Sequence, residues 1–180
     1  MKVGLYIPCF NSEKTIQPCL EAVLKQEYPL KEVLVVDDGS CDKTIQIVSQ
    51  YPVKIIRHKA NKGLAAARNT AVKNIKTDFV ASLDADCLPE PDWLLRLMNK
   101  FNSPKVAGIG GKLLEENVST VFDYWRSVHM RQDWGEKAGF PLFLFGSNAV
   151  FRKEALAEVR YYGEEFKTNY EDVDISKRLK

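Results

Sequence analysis

No apolar run in the 180 residues approaches the roughly 20 that a membrane-spanning helix needs. The apolar part of the amino-terminal MKVGLYIPCF is too short for a secretory leader, and Pro8 interrupts it. Histidine is scarce. His58 and His129 stand at no zinc-like spacing from the four cysteines (Cys9, Cys19, Cys41, Cys87), which themselves form no C-x-x-C pair. Free buried or loop thiols are therefore expected, as suits a reducing cytoplasm, and neither histidine is assigned a role. An excess of one charge is missing too: 26 Lys and Arg against 24 Asp and Glu leave +2, too little to argue for nucleic acid or an anionic membrane surface. Repeats, low-complexity segments and linkers are absent, and the length fits a single domain with a substantial core.

What is present is an alternation of short β-rich runs with helical patterns, the signature of βαβ units and a parallel sheet, hence an α/β fold. Strands are expected at Val3–Ile7, Glu32–Val36, Val53–Arg57 and Asp78–Leu83. A helix follows the first, with Ile16, Leu20, Val23 and Leu24 on one stripe; Pro18 is tolerable there if it falls in the first turn. The second half is less regular. PDWLLRLMNKF reads as a helix, KVAGIGG as a strand, and FLFGSNAVFRKEAL as a strand running into a helix. STVFDYWRSVHMRQDWGEK is an aromatic-rich, helical insertion carrying Tyr124, Trp125 and Trp134, whose rings either stack on a sugar or lipid-linked acceptor or pack in the core.

The residues directly after each strand carry the chemistry. Pro8-Cys9-Phe10-Asn11 follows the first, Asp37-Asp38-Gly39-Ser40 the second, a loop with Asn61 and Lys62 the third, and Asp84-Ala85-Asp86 the fourth. In an open parallel sheet these loops share the edge outside the carboxyl ends of the strands, where such folds bind ligands. Asp84 and Asp86 alone are compatible with a capped turn before Pro89 or with a metal site. Carboxylates gathered at one edge repel each other, so a bound metal or a basic partner is expected. Arg68 lies four residues after Leu64 and four before Val72, on or beside the apolar stripe of its helix. A guanidinium there needs a partner: a buried ion pair with Asp37 or Asp84, or a ligand's phosphates or base. Gly146, Ser147 and Ala149 are small enough for backbone to approach a ligand closely. Glu171, Asp172 and Asp174 cluster at a helix start, where plain capping by acidic residues is one reading.

Six blocks taken in order, YIPCFN, VLVVDDGSCDKT, NKGLAAARNTAV, ASLDADCLPEPDWL, GSNAVFRKEAL and YEDVDISKRL, resemble the family 2 inverting glycosyltransferases and run from Val3 to Leu179. The resemblance implies the GT-A fold, a Rossmann-like nucleotide-binding fold with a central, mostly parallel sheet flanked by helices. It implies one domain over 1–180, with a nucleotide-binding half over about 1–110 and an acceptor-side half over about 111–180. It further implies transfer of a sugar from a nucleotide-diphosphate sugar, a UDP-sugar, to a hydroxyl of a saccharide or lipid-linked acceptor, with Mg²⁺ or Mn²⁺.

Position by position, the resemblance puts Pro8 and Phe10 at the base, Asp38 on the uracil imide, and Asn11, Asp37 and Ser40 at the nucleotide turn. Arg68 and Asp84 would hold the nucleotide, Asp86 with Asp84 would ligate the metal, and Asp172 would be the general base. Gly146, Ser147, Asn148 and Glu171 would face the donor and acceptor sugars. The chain stops eight residues after Asp172, as a catalytic-domain fragment or a minimal enzyme would, and no Q-x-x-R-W block occurs. A cytoplasmic location follows, with any attachment to the inner membrane face made by parts outside this chain. The rival readings are a non-catalytic sugar-nucleotide-binding module, a nucleotidyltransferase and a phospho-acceptor receiver domain. Val3–Asn11 lacks the Gly-rich phosphate loop the second requires, and the spacing of later strand ends does not suit the third.

Overall fold

The strands of the first half form the parallel centre of the sheet in the computed structural model, which describes residues 1–115, 118–129, 139–166 and 169–180. In chain order the elements are β1 (Val3–Cys9), α1 (Ile16–Val23), β2 (Leu30–Asp37), α2 (Thr44–Val48), β3 (Lys54–Arg57), α3 (Leu64–Asn74) and β4 (Phe79–Leu83). There follow α4 (Trp93–Met98), β5 (Gly108–Gly110), α5 (Val121–His129), β6 (Asn148–Arg152), α6 (Lys153–Glu158) and α7 (Glu171–Arg178). The sheet order is β3-β2-β1-β4-β6-β5. The first four strands are parallel, while β6 runs antiparallel to both β4 and β5.

β1 is buried along its whole length because it is central and covered on both faces. Val3, Leu5, Ile7 and Cys9 point to one side, where Ile16, Leu20 and Val23 of α1, Val48 of α2 and Leu94, Leu97 and Met98 of α4 pack. Tyr6 points to the other, against Ala65, Ala67, Ala71 and Val72 of α3, Leu156 of α6 and Ile175 of α7. The result is a three-layer sandwich, and the alanines of α3 let that helix lie close on the strands. Pro18 stands in the first turn of α1, whose N-cap is Thr15, so its missing N–H costs no helical hydrogen bond. Helix α2 is shorter than its apolar pattern suggests, because the chain turns at Tyr51 before Pro52. Among the described residues, no helix is long and apolar enough to cross a membrane.

Ile7 is fully buried in the larger cluster. Replacing it by Ala should lower the unfolding free energy by roughly 2–5 kcal/mol, measured by urea denaturation. An unchanged midpoint would mean that the centre of β1 is loosely packed.

Candidate functional site

From β1 the chain steps outward through β2 to β3, then returns to place β4 on the other side of β1. The crevice at that switch lies outside the carboxyl ends of β1 and β4. Because β6 runs the opposite way, its beginning, Gly146 to Asn148, reaches the same edge. Backbone contact closes the junction: the Asp84 N–H donates to Ser147 O at 3.4 Å.

On the β2 side the turn is stitched to its neighbours. The N–H of Asn11 donates to Ser40 Oγ at 2.9 Å, and Asn11 Oδ1 accepts from the Cys41 N–H at 2.9 Å. Asn11 adopts φ of 49°, a conformation asparagine tolerates better than most residues. Asp37 is fully buried, accepts from the Ser40 N–H at 3.1 Å and lies 3.0 Å from Arg57 Nε. Asp38 faces inward. Its oxygens take His58 Nδ1 at 2.6 Å, the Lys62 N–H at 2.9 Å and the Gly63 N–H at 2.8 Å. Gly39 has φ of 82°, and a Cβ there would lie 2.9 Å from the Ala60 and Asn61 backbone, so only glycine lets the two loops meet. Pro8 is buried within β1, whereas Phe10 stands 46% exposed just beyond it.

Arg68 is the hub of the other side. Only 1% exposed, it donates through Nη1 to Ser82 Oγ and to Gly146 O, both at 2.5 Å, and through Nη2 to Asp84 Oδ1 at 3.0 Å. Its Nε lies 3.3 Å from Glu171 Oε1. Burial works against the charge, but the Asp84 and Glu171 carboxylates hold its pKa above the ordinary arginine value. Gly146 then passes the connection on: its N–H donates to Asp172 Oδ2 at 3.2 Å. The ring Arg68, Gly146, Asp172, Glu171 thereby ties the start of α7 to the end of β4. Of the two partners open to Arg68 in the sequence, Asp84 takes it, and Asp37 pairs with Arg57 instead.

Carboxylates outnumber the guanidinium around Arg68: Asp84 and Glu171 pair with it, and Asp86 and Asp172 lie near enough to act on Asp84. Desolvation raises the Asp84 carboxyl above the usual carboxylate range; Arg68 opposes this, while Asp86 and Asp172 add to it. Glu171 is raised for the same leading reason, against the pull of Arg68. The Cys19 thiol is pushed up to about 12, by burial first and then by the Asp86 and Asp84 carboxylates. All four cysteines are free. Asp86 is exposed at the mouth. Among the described residues, no three His, Cys, Asp or Glu side chains are arranged to hold a metal ion by themselves. The oxygen donors of Asp84 and Asp86 nonetheless suit a hard divalent cation, which takes one or two carboxylates when a bound diphosphate and water complete its shell.

Some expected site residues are spent elsewhere. Asn148 accepts from Trp93 Nε1 at 2.6 Å and donates to Lys112 O at 3.1 Å, so its side chain is a buried strut and does not face the crevice. Glu171 turns inward to Arg68 rather than toward a sugar, because the buried guanidinium needs a second carboxylate. Asp174 turns to Arg178 at 2.5 Å. Tyr124 and Trp125 are 65% and 53% exposed on α5, so core packing is not their use; Trp134 lies outside the described residues. Sequence reasoning missed His58, Ser82 and Asn69. Asn69 joins Tyr162 and Glu164 to α3 through Oδ1 and Nδ2. A second polar residue beside Arg68 on an alanine-rich helix is the signal that points to it.

A Cβ at Gly146 would lie 2.9 Å from the Arg68 guanidinium carbon, whereas one at Gly139 would meet nothing within 4 Å. Gly146→Ala should therefore cost roughly 1–3 kcal/mol in chemical denaturation, through displacement of a buried charge. Gly139→Ala should stay within about 0.5 kcal/mol of the parent. Equal stability of the two variants would show that Arg68 can move at no cost.

The chain is 28% identical over 188 aligned positions to the poly-beta-1,6-N-acetyl-D-glucosamine synthase of Staphylococcus epidermidis, covering 98% of the chain and 45% of that protein. It is 37% identical over 118 positions to the glycosyltransferase AglE of Haloferax volcanii, covering 62% of the chain and 39% of AglE. The chain thus spans less than half the length of these curated relatives. The crystal structure of S. aureus TarS 1-349 in complex with UDP-GlcNAc superposes with a TM-score of 0.80 at 25% identity, over 99% of this chain and 53% of that one. The same TarS segment has been solved with UDP, also with a TM-score of 0.80. The profile of the family described as "Glycosyl transferase family 2" matches residues 5–160, and the chain belongs to that family.

Proposed function

We propose that this chain carries the catalytic centre of an inverting glycosyltransferase, moving a sugar from a UDP-sugar to a hydroxyl of a saccharide or lipid-linked acceptor with Mg²⁺ or Mn²⁺ bound. The observation that carries the reading is that Arg68 and Gly146 join Asp84 to Asp172 at the switch point of the sheet, with Asp86 close enough to act on the Asp84 carboxyl. UDP is favoured among nucleotides by the TarS complexes. N-acetylglucosamine is the first donor sugar to try, since the S. epidermidis relative's name and the TarS complex both carry it.

In this reading the uracil rests against Phe10 beside the turn that carries Asp38, whose inward carboxylate, together with Asn11, Asp37 and Ser40, keeps the two loops in register beneath it. Asp84 takes the ribose side, and Asp84 with Asp86 would hold the cation. When bound, that cation neutralises charge on the departing diphosphate. Arg68 acts from below, holding Asp84 and the Gly146 carbonyl still. Ser147 offers its side chain next to the donor sugar, and Asn148 and Glu171 support that region from within. Asp172 takes the proton of the acceptor hydroxyl as its oxygen bonds to the anomeric carbon and the bond to the diphosphate breaks, so the configuration inverts.

Calorimetric titration with UDP, with and without Mn²⁺, tests the binding half. Binding that requires the ion and is lost in Asp86→Ala is expected; ion-independent binding unaffected by Asp86→Ala would remove the metal from the reading. For the chemical half, Asp172→Asn should cut turnover of UDP-GlcNAc by about 10²–10⁴-fold and leave UDP affinity within about 3-fold. Undiminished turnover would exclude Asp172 as the base.

A further inference from the structure

Helix α7 meets the approach to β6 at two places one helical turn apart. The Gly146 N–H donates to Asp172 Oδ2 at 3.2 Å, and the Leu144 N–H donates to Ser176 Oγ at 3.0 Å. Positions four apart on a helix share a face and are separated by about 6 Å along its axis, a gap that about two residues of extended chain can span. Asp172 and Ser176 therefore form two rungs between the same two pieces of chain. Ser176 is only 6% exposed and has no part in the reading above.

The carbonyl side of Gly146 is held by Arg68 and Ser82, and the next carbonyl, Ser147 O, accepts from the Asp84 N–H. The N–H side is held by the two rungs. Leu144 is seated from behind as well: a Cβ at Gly108 would lie 3.0 Å from its Cδ1 and one at Gly110 3.1 Å from its Cδ2, so its side chain rests on the bare backbone of β5. Asp172 also accepts from the Val173 N–H at 2.8 Å through Oδ1, but that contact travels with the helix. The bond from Gly146 is the one that fixes the carboxylate relative to the crevice.

We propose that Ser176 is a positioning residue for the transfer step: by seating the Leu144 N–H it holds Gly146 where its own N–H meets Asp172, and so aims the base at the acceptor hydroxyl. This rests on the reading above in which Asp172 takes the acceptor's proton. Without the Ser176 hydroxyl the partly buried Leu144 N–H loses its acceptor and shifts to find another, and Gly146, two residues on, shifts with it. The nucleotide contacts lie elsewhere, so the loss falls on the chemical step and not on binding.

The test is a cycle of the parent, Ser176→Ala, Asp172→Asn and the double variant, read as UDP released from UDP-GlcNAc with Mn²⁺ present and water as the acceptor. Ser176→Ala should lower kcat about 10-fold, with KM for UDP-GlcNAc and the calorimetric UDP affinity within about 3-fold of the parent. Ser176→Thr, which keeps an acceptor oxygen, should stay within about 3-fold of the parent kcat. In the Asp172→Asn background, Ser176→Ala should cost less than about 2-fold, because the group it misplaces is already gone. An unchanged kcat in Ser176→Ala, or equal falls in both backgrounds, overturns the proposal and leaves Ser176 as packing. Should Ser176→Ala fail to fold, Ser176→Cys, whose sulfur is a weak acceptor, takes its place in the cycle and is judged by the same outcomes. Full turnover in Asp172→Asn removes the base reading and this proposal with it. Where the parent releases no UDP, the Gly146 amide is the readout. Ser176→Ala should then speed its hydrogen exchange at least about 10-fold and leave that of Val35 in β2 unchanged, and an unmoved Gly146 amide overturns the proposal.

Discussion

A buried guanidinium, that of Arg68, is the constraint around which the site is arranged. Taking such a charge out of water costs several kcal/mol unless its surroundings are well ordered, and removing one partner of a buried pair typically costs about 3–5 kcal/mol. Here the ordering comes from three separate pieces of chain: the end of β4 with Ser82 and Asp84, Gly146 before β6, and Glu171 at the head of α7. The strand end, the β6 approach and the helix head are far apart in sequence. Keeping the charge satisfied therefore keeps them together, and the geometry of the crevice follows from the requirement that one cation stay paired.

The same charge sets the limits of the electrostatics. One guanidinium serves Asp84 and Glu171, while Asp86 and Asp172 add their negative charge to the Asp84 carboxyl. The imbalance is felt as far as the Cys19 thiol. Carboxylates thus outnumber the guanidinium at this edge of the sheet, a balance that accords with the divalent cation of the proposed reading.

Much of this is legible in the amino-acid order alone. The central strands announce themselves as apolar runs, because β1, β2 and β4 are buried on both faces, and the strand-end motifs place Asp37, Asp38, Asp84 and Asp86 at one edge. What escapes is set by register and direction. Whether Arg68 pairs with Asp37 or Asp84 depends on β2 and β3 lying so that Asp37 faces Arg57 across the ladder, which no local pattern encodes. Nothing in the apolar run Ala149-Val150-Phe151 tells whether that strand is parallel or antiparallel. Glu171 reads equally well as a capping acid at a helix start, and only the packing of α7 against α3 buries it. His58 carries no signal because its partners, Asp38 and Thr70, come from opposite sides of β3 in the chain.

The reversed direction of β6 has an evolutionary side. The excursion between Gly111 and Gly146 begins and ends at one place, with the Gly111 N–H on Asn148 O and Asn148 Nδ2 on Lys112 O. The entropy of closing a loop whose two feet are held together grows only slowly with its length, by about 0.6 kcal/mol for each doubling. The Arg68–Asp84 pair and the Gly146–Asp172 hydrogen bond lie outside that stretch. A change of length between the two feet is thus separated, in this fold, from the contacts that hold the charges together.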